Sequence, residues 1–180
     1  SVPILYVTHN MEELMRLADR VLVLQQGSLL AQKNISEILS DLTLPFSRHD
    51  QAGAVITAQV YAGEENNYLI KLALGGGGFL WVNSPSLARF TGEKIRLRIY
   101  ARDISISRQP ALDSSILNIL PAKIIDIIGL GKGQAIVKLN CYQQILLARL
   151  TNKSIEQLKL IKGDHIFAQI KGIAILGAGL

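Results

Sequence analysis

Two stretches of this chain can be laid on one another, and that constrains its fold more than any other feature. TAQVYAGEENNYLIKLALGGGGFLWV from Thr57 and PAKIIDIIGLGKGQAIVKLNCYQQILLA from Pro121 place Ala58 on Ala122 and Lys71-Leu72 on Lys138-Leu139. Further on, Thr91-Gly92-Glu93-Lys94-Ile95 falls on Lys162-Gly163-Asp164-His165-Ile166, and Ile99 on Ile170. A duplicated unit of about 60 residues must fold twice from similar text, so the pattern within one copy is a guide to the other. That pattern is short runs of β-branched and aromatic residues between turn signals: Val55 to Tyr61, Tyr68 to Leu74, Phe79 to Val82 and Lys94 to Tyr100 in the first copy. Ala122 to Ile128, Gln134 to Leu139, Gln144 to Leu150 and His165 to Ile175 follow in the second. Such spacing predicts a mainly β protein with two small closed or half-closed β-barrels.

The start of the chain reads differently. Ile4 to Val7 is a short apolar run that predicts a strand, and Asn10 with Glu13 predicts a capping box opening a helix with Met11, Leu14, Met15 and Ala18 on its buried face. Val21 to Leu24, Gln26-Gly27 and Ser28 to Ala31 predict a hairpin, and Asn34 with Glu37 a short helix over Ile35 to Ser40. Thr43 to Gly53 has Pro, polar residues and no periodicity, which places a linker there, and a second joint falls at Arg108 to Asp113. The expected units are therefore 1–45, an α/β piece of something larger, then 46–112 and 113–180, one barrel unit each.

The net charge of +5 is uneven: residues 1–45 carry three Lys/Arg against five Asp/Glu, 46–110 eight against five and 111–180 eight against four. A basic surface attracts anions of many kinds. With 49% hydrophobic residues and mean hydropathy +0.28, the chain has material for packed cores, yet no run reaches the roughly 18 to 20 apolar residues of a spanning helix and no secretory leader opens it. One cysteine, Cys141, precludes an internal disulfide, and three scattered histidines give no metal-ligand spacing. A reduced, cytoplasmic setting is expected, with no metal site.

PILYVTHNMEELMRLADRVLVLQQGSLLAQ, from Pro3 to Gln32, resembles the tail of an ABC transporter ATPase domain. The resemblance implies that His9 is the switch histidine that contacts the γ-phosphate of ATP, a role suited to an imidazole that donates to phosphate oxygen. The departures are as informative. No GxxxxGK[ST] loop, no strand ending in Asp-Glu for Mg²⁺ and no Leu-Ser-Gly-Gly signature is present. ATP and Mg²⁺ therefore belong to a parent subunit, and this stretch alone is expected to hydrolyse nothing. Gly129-Leu130-Gly131-Lys132-Gly133 looks like a phosphate loop, but Gln134 to Leu139 after it reads as a strand, so it is expected to be a hairpin turn, as is Gly75 to Gly78.

SSILNILPAKI (114–124) and LLARLTNKSIEQLKLIKGDHIFAQIKGIAI (146–175) resemble the Mop-like, or TOBE, oxyanion-binding domain, which implies that the two barrels are OB-like. With the ATPase tail upstream, the chain resembles the C-terminal part of the ATP-binding subunits of molybdate importers. A tetrahedral dianion such as molybdate or tungstate has four acceptor oxygens, so its pocket needs hydroxyl and N–H donors with limited positive charge. The resemblance places these donors on Ser115, Asn118, Thr151, Ser154 and Lys171, and Ser154 to Leu158 reads as a helix start whose free N–H groups favour an anion. Ordinary helix capping would also account for Thr151 or Ser154. Leu117 stands where the family has Arg, which predicts a weakened site, because a charge-assisted hydrogen bond contributes about 1.5–3 kcal/mol. Tyr100 takes the place of Lys171 in the first copy, so no complete site is assigned there.

What the resemblance implies beyond the site is a homodimer with shared pockets, a membrane permease as partner, and a place on the inner face of the cell membrane. Two rival readings are a free-standing oxyanion carrier or sensor, and a nucleic-acid-binding barrel using Arg96, Arg98, Arg102 and Arg108. The second needs aromatic side chains for base stacking. With 6% aromatics, read as scattered in core strands, the arginines are expected to form a solvated face or a subunit interface, and no nucleic acid is expected.

Overall fold

The computed structural model describes residues 2–44, 51–64 and 68–178. From Gly53 onward the chain is almost entirely β. Strands β3 (Gly53–Glu64), β4 (Leu69–Leu74), β5 (Phe79–Asn83) and β6 (Lys94–Tyr100) come first, with a 3-10 helix over Pro85–Phe90 between β5 and β6 and a 3-10 turn over Ala101–Asp103 after it. Next are β7 (Ile104–Ser107), β8 (Asn118–Gly131), β9 (Gln134–Cys141), β10 (Gln144–Thr151), helix α3 (Asn152–Gln157), β11 (His165–Ile170) and β12 (Ala174–Ala178). They form two five-stranded curled sheets, ordered β12-β6-β3-β4-β5 and β10-β9-β8-β11-β7.

The duplication is exact in register as well as in order. Ala58 pairs with Ile95 as Ala122 pairs with Ile166. A bulge bends β3 between Val60 and Ala62 and another bends β8 between Ile124 and Asp126, the extra residue that increases twist and curls a sheet. The glycine corners also match: Gly92 N–H donates to Val60 O at 2.8 Å with φ +88°, and Gly163 N–H to Ile124 O at 2.8 Å with φ +96°.

Two features depart from the sequence reading. The run His165 to Ile175 is two strands, broken at Lys171 to Ile173, and the four residues of β7 were not foreseen. These two short strands, equivalent by the repeat, exchange places. β7 follows β6 but pairs with β11, and β12 follows β11 but pairs with β6. Each sheet thus contains one strand from the other repeat, and the inner faces share a single apolar cluster that runs from Ala54 through Leu97, Ile124 and Leu139 to Ile170. The turns in question are hairpins: Lys132 and Gly133 have φ of 50° and 75° between β8 and β9, and Gly77 has φ +95° between β4 and β5. At the second tip, a Cβ on Gly76 would run into the Tyr142 backbone, so the glycine run allows the β4–β5 tip to touch the β9–β10 turn.

Helix α1 (Met11–Leu17), hairpin β1 (Arg20–Gln25) with β2 (Ser28–Asn34), and α2 (Ile35–Leu39) precede the sheets. Met15, Val21, Ile35, Ile38 and Leu39 bury themselves with Leu44 against Val55 of β3, with Leu176 of β12 packed alongside. The strand expected at Ile4 to Val7 is absent: the segment has no ladder partner among the described residues, and Ile4, Leu5 and Val7 are almost fully exposed. The capping box at Asn10 also differs. Asn10 Oδ1 accepts from Glu12 N–H at 2.9 Å, while the Glu13 carboxylate takes the Thr8 hydroxyl at 2.7 Å and the Tyr6 hydroxyl at 3.1 Å. Two nearer O–H donors outcompete the helix backbone for it. At α2, Glu37 does reach back, accepting from Asn34 N–H at 3.3 Å. Most of the linker expected at Thr43 to Gly53 lies outside the described residues.

Candidate functional site

The residues assigned to oxyanion binding fall into two groups. Thr151 ends β10 and caps α3, its Oγ1 accepting from Ser154 N–H at 3.1 Å and lying 2.8 Å from Ser154 Oγ. The helix starts at Asn152, so Ser154 is its third residue, and its N–H is spent on the cap where a free donor was expected. The two hydroxyls stay together on a half-exposed corner. They are held there from behind. Arg108, after β7, donates from Nε to Leu158 O at 2.9 Å and pairs with Asp164 Oδ2 at 2.7 Å. Asp164 Oδ2 in turn accepts from Ile161 N–H, and this bond first, then the Arg108 guanidinium, hold its carboxyl below the usual range against desolvation.

The second group lies at the start of β8. Asn118 pairs with Ile170, which puts Lys171 at the same end of the sheet. Ser115 and Lys171 are exposed, as is Leu117 at 62%. Asn118 is buried, with Oδ1 accepting from Trp81 N–H at 2.7 Å and Nδ2 donating to Trp81 O at 2.9 Å. It thereby clamps β8 to the edge strand of the other sheet, a role that sequence did not show. Thr151 pairs with Gln134, which pairs with Gly131 at the far end of β8. The two groups therefore occupy opposite ends of one sheet and are not brought together by a single repeat. His9 is exposed, just ahead of α1.

The basic residues are used internally. Arg96 is buried and donates to the carbonyls of Met15, Arg16 and Ala18 at 3.0–3.3 Å and to Asp19 Oδ1 at 3.0 Å, closing the C-terminal end of α1 onto β6. A cation is favoured at a helix C-terminus. Arg98 is buried too, its guanidinium carbon 4.1 Å from the centroid of the Tyr100 ring, and Arg102 stacks on the same ring at 4.6 Å. Neither a solvated face nor a subunit interface describes Arg96 and Arg98. The aromatics are not scattered in the core either: Tyr61 and Phe79 stack edge to face at 5.6 Å, and Lys71 Nζ lies 4.0 Å from the Phe79 centroid and 5.6 Å from those of Tyr61 and Trp81. No helix is long and apolar enough to cross a membrane among the described residues, and none of their side chains cluster as metal ligands.

Comparison with known proteins bears on this geometry. The TOBE domain family matches residues 114–175, which include both groups. Molybdenum import ATP-binding protein ModC 1 of Azotobacter vinelandii is 37% identical over 178 residues, 98% of this chain and 48% of that protein. The ModC protein of Albidiferax ferrireducens is 39% identical over 177 residues, 98% and 47% respectively. That of Aromatoleum aromaticum is 38% identical over 176 residues, 98% and 46%. Over nearly its whole length the chain is similar to ModC proteins. It spans about half the length of the relatives it matches, the part that carries the TOBE domain.

The fold agrees with this placement. A cytoplasmic molybdate-binding protein, ModG, solved with molybdate bound, superposes with a TM-score of 0.58 over 67% of this chain and 93% of its own, at 22% identity. The ModC relatives match through the first 44 residues as well, since 98% of the chain is covered.

Proposed function

We propose that this chain is the regulatory C-terminal part of a molybdate importer's ATP-binding subunit, and that it holds molybdate or tungstate at pockets completed between two copies. The observation that carries this reading is the division of the donor set. Thr151 and Ser154 supply hydroxyls at one end of the second sheet; Ser115 and Lys171 supply a hydroxyl and an ammonium at the other. Each group is half of what a four-oxygen dianion requires. Stacking two copies end to end joins the halves and gives a homodimer with the ligand at its seam. A ligand bound that way favours one arrangement of the two copies in proportion to its differential affinity for it, which is what regulation by the transported ion requires. In the parent subunit, ATP, Mg²⁺ and a membrane permease would act through the preceding domain, with His9 as its switch histidine, on the cytoplasmic face of the membrane.

A second arrangement has one observation in its favour. In the first repeat Ser84 stands at the start of the 3-10 helix after β5, with its Oγ 3.4 Å from Ser86 Oγ, and β5 is bonded to Asn118 through Trp81. Those hydroxyls would complete the Ser115 and Lys171 half within one chain. Calorimetry separates the two. Molybdate affinity that weakens on dilution of the protein, with dimer formed by sedimentation, supports the two-copy pocket; concentration-independent binding by a monomer supports the single-chain one. No heat with molybdate or tungstate contradicts both. Leu117→Arg restores a charged donor at an exposed position and is expected to tighten molybdate about 5- to 10-fold, less than a buried guanidinium would give.

A further inference from the structure

Between α1, α2 and the start of β3 lies a cavity of about 230 Å³ that the oxyanion reading does not use. Met11, Met15, Leu39 and Ala52 make its apolar wall, and Gln51 and Arg98 its polar end. Arg98 is 4% exposed. One of its nitrogens, Nη2, donates to Gln51 O at 3.0 Å and its face rests on Tyr100, but Nε has no hydrogen-bond partner. Among the described residues no carboxylate lies within ion-pair distance of it, in contrast to Arg96 and Arg108. Burying a charge without a paired carboxylate among the described residues or a full set of hydrogen bonds is costly; burial pulls the Arg98 pKa below its ordinary value, and Tyr100 and Glu12 only partly oppose it.

We propose that this cavity binds a small monocarboxylate with a short aliphatic body, its carboxylate on Arg98 and its hydrocarbon against the two methionines. A guanidinium offers parallel N–H groups that match the two oxygens of a carboxylate. The opposite wall offers thioethers and methyl groups, which cannot donate to the remaining oxygens of a tetrahedral dianion, so the chemistry differs from that of the Thr151 and Lys171 groups. The volume falls below the roughly 300–1,000 Å³ of drug-sized pockets, which limits the body to a few carbons. Because the cavity is walled by α1 and α2 on one side and by β3 and β6 on the other, a bound acid would tie the first 44 residues to the first sheet.

Met11 and Met15 are the chain's two methionines, and both line the cavity. Methyl-labelled methionine NMR of the intact chain therefore reports on this site alone. Titration with butyrate is expected to move both methyl signals along one saturable curve. Butyramide, equal in shape but uncharged, is expected to bind about tenfold or more weakly, as loss of a charge-assisted bond requires. Molybdate is expected to leave both signals in place, so a silent molybdate calorimetry experiment would not bear on this site. Arg98→Gln, with its amide spectrum confirming the fold, is expected to lose the butyrate response. The proposal is overturned if neither methyl moves at tens of millimolar butyrate, if butyramide moves them equally, or if molybdate competes with butyrate for the same signals.

Discussion

Replacing Asn118 by alanine tests how the two repeats are joined. The side chain is buried and makes two hydrogen bonds to one residue of the other sheet, 2.7 Å to Trp81 N–H and 2.9 Å to Trp81 O. β5 is an edge strand, so the outward N–H and C=O of Trp81 have no ladder partner on that side. Each lost bond costs about 1 kcal/mol net, and a half-buried backbone group left unpaired adds up to about the same again, giving about 2–4 kcal/mol for Asn118→Ala. Urea unfolding followed by Trp81 fluorescence and by circular dichroism measures it. Shared core and exchanged strands predict that both probes report one transition in both proteins. Asn118→Asp sharpens the test: a carboxylate faces the Trp81 carbonyl without a proton to donate, while the protonated acid restores the donor. Its folded-state pKa is therefore raised, and its stability relative to the parent should recover as pH falls through that value. A change within about 0.5 kcal/mol for Asn118→Ala, the range of a neutral surface substitution, would refute the clamp.

Other outcomes follow from single contacts. Gly76→Ala puts a Cβ into the Tyr142 backbone, which cannot swing aside, and should cost about 1–3 kcal/mol in the same assay. Cys141 is fully buried and its thiol is pushed up to about 12 by burial, so thiol reagents should label the native chain only as fast as it unfolds, and at once in denaturant. Asp41 is an acid-sensitive contact of the first segment. Burial opposes its ionisation, but the Lys33 ammonium at 2.6 Å and two bonds from Thr43 outweigh it and hold the carboxyl at about 2. Its stabilisation is present above the unfolded carboxylate pKa and is lost as pH falls from about 4 to about 2, by about 1 kcal/mol because the Lys33 side is open to solvent. Asp41→Asn should remove that part of the acid dependence.

How far the fold was legible follows from which interactions are local. Strands β3 to β6 and β8 to β10 came through because one face of each alternates with the core and Gly, Asn or Pro punctuates their ends. The repeat was legible to the residue, since Gly92 and Gly163 keep the same corner in both copies. The exchange of β7 and β12 was not. Ile104–Ser107 is four residues long and Lys171 to Ile173 carries no strong breaker beyond one glycine, and the identity of a strand's partner is a non-local fact. Arg96 and Arg98 alternate with Ile95, Leu97 and Ile99, a pattern that reads as a solvent face. Here α1 and its neighbours cover that face, so both sides of β6 are buried. In the site, Thr151, Ser154 and Lys171 were legible as residue types, but their division between the two ends of a sheet depends on register across four strands.

An oxyanion held between two copies would sit between the Thr151–Ser154 corner of one and the Ser115–Lys171 end of the other. Crystals of this chain grown with molybdate, with diffraction recorded at the molybdenum absorption edge, test it directly. An anomalous peak is expected within hydrogen-bond reach of Thr151 Oγ1, Ser154 Oγ and the partner copy's Lys171 Nζ. A peak elsewhere, or none at these residues with molybdate well above its calorimetric affinity, contradicts it.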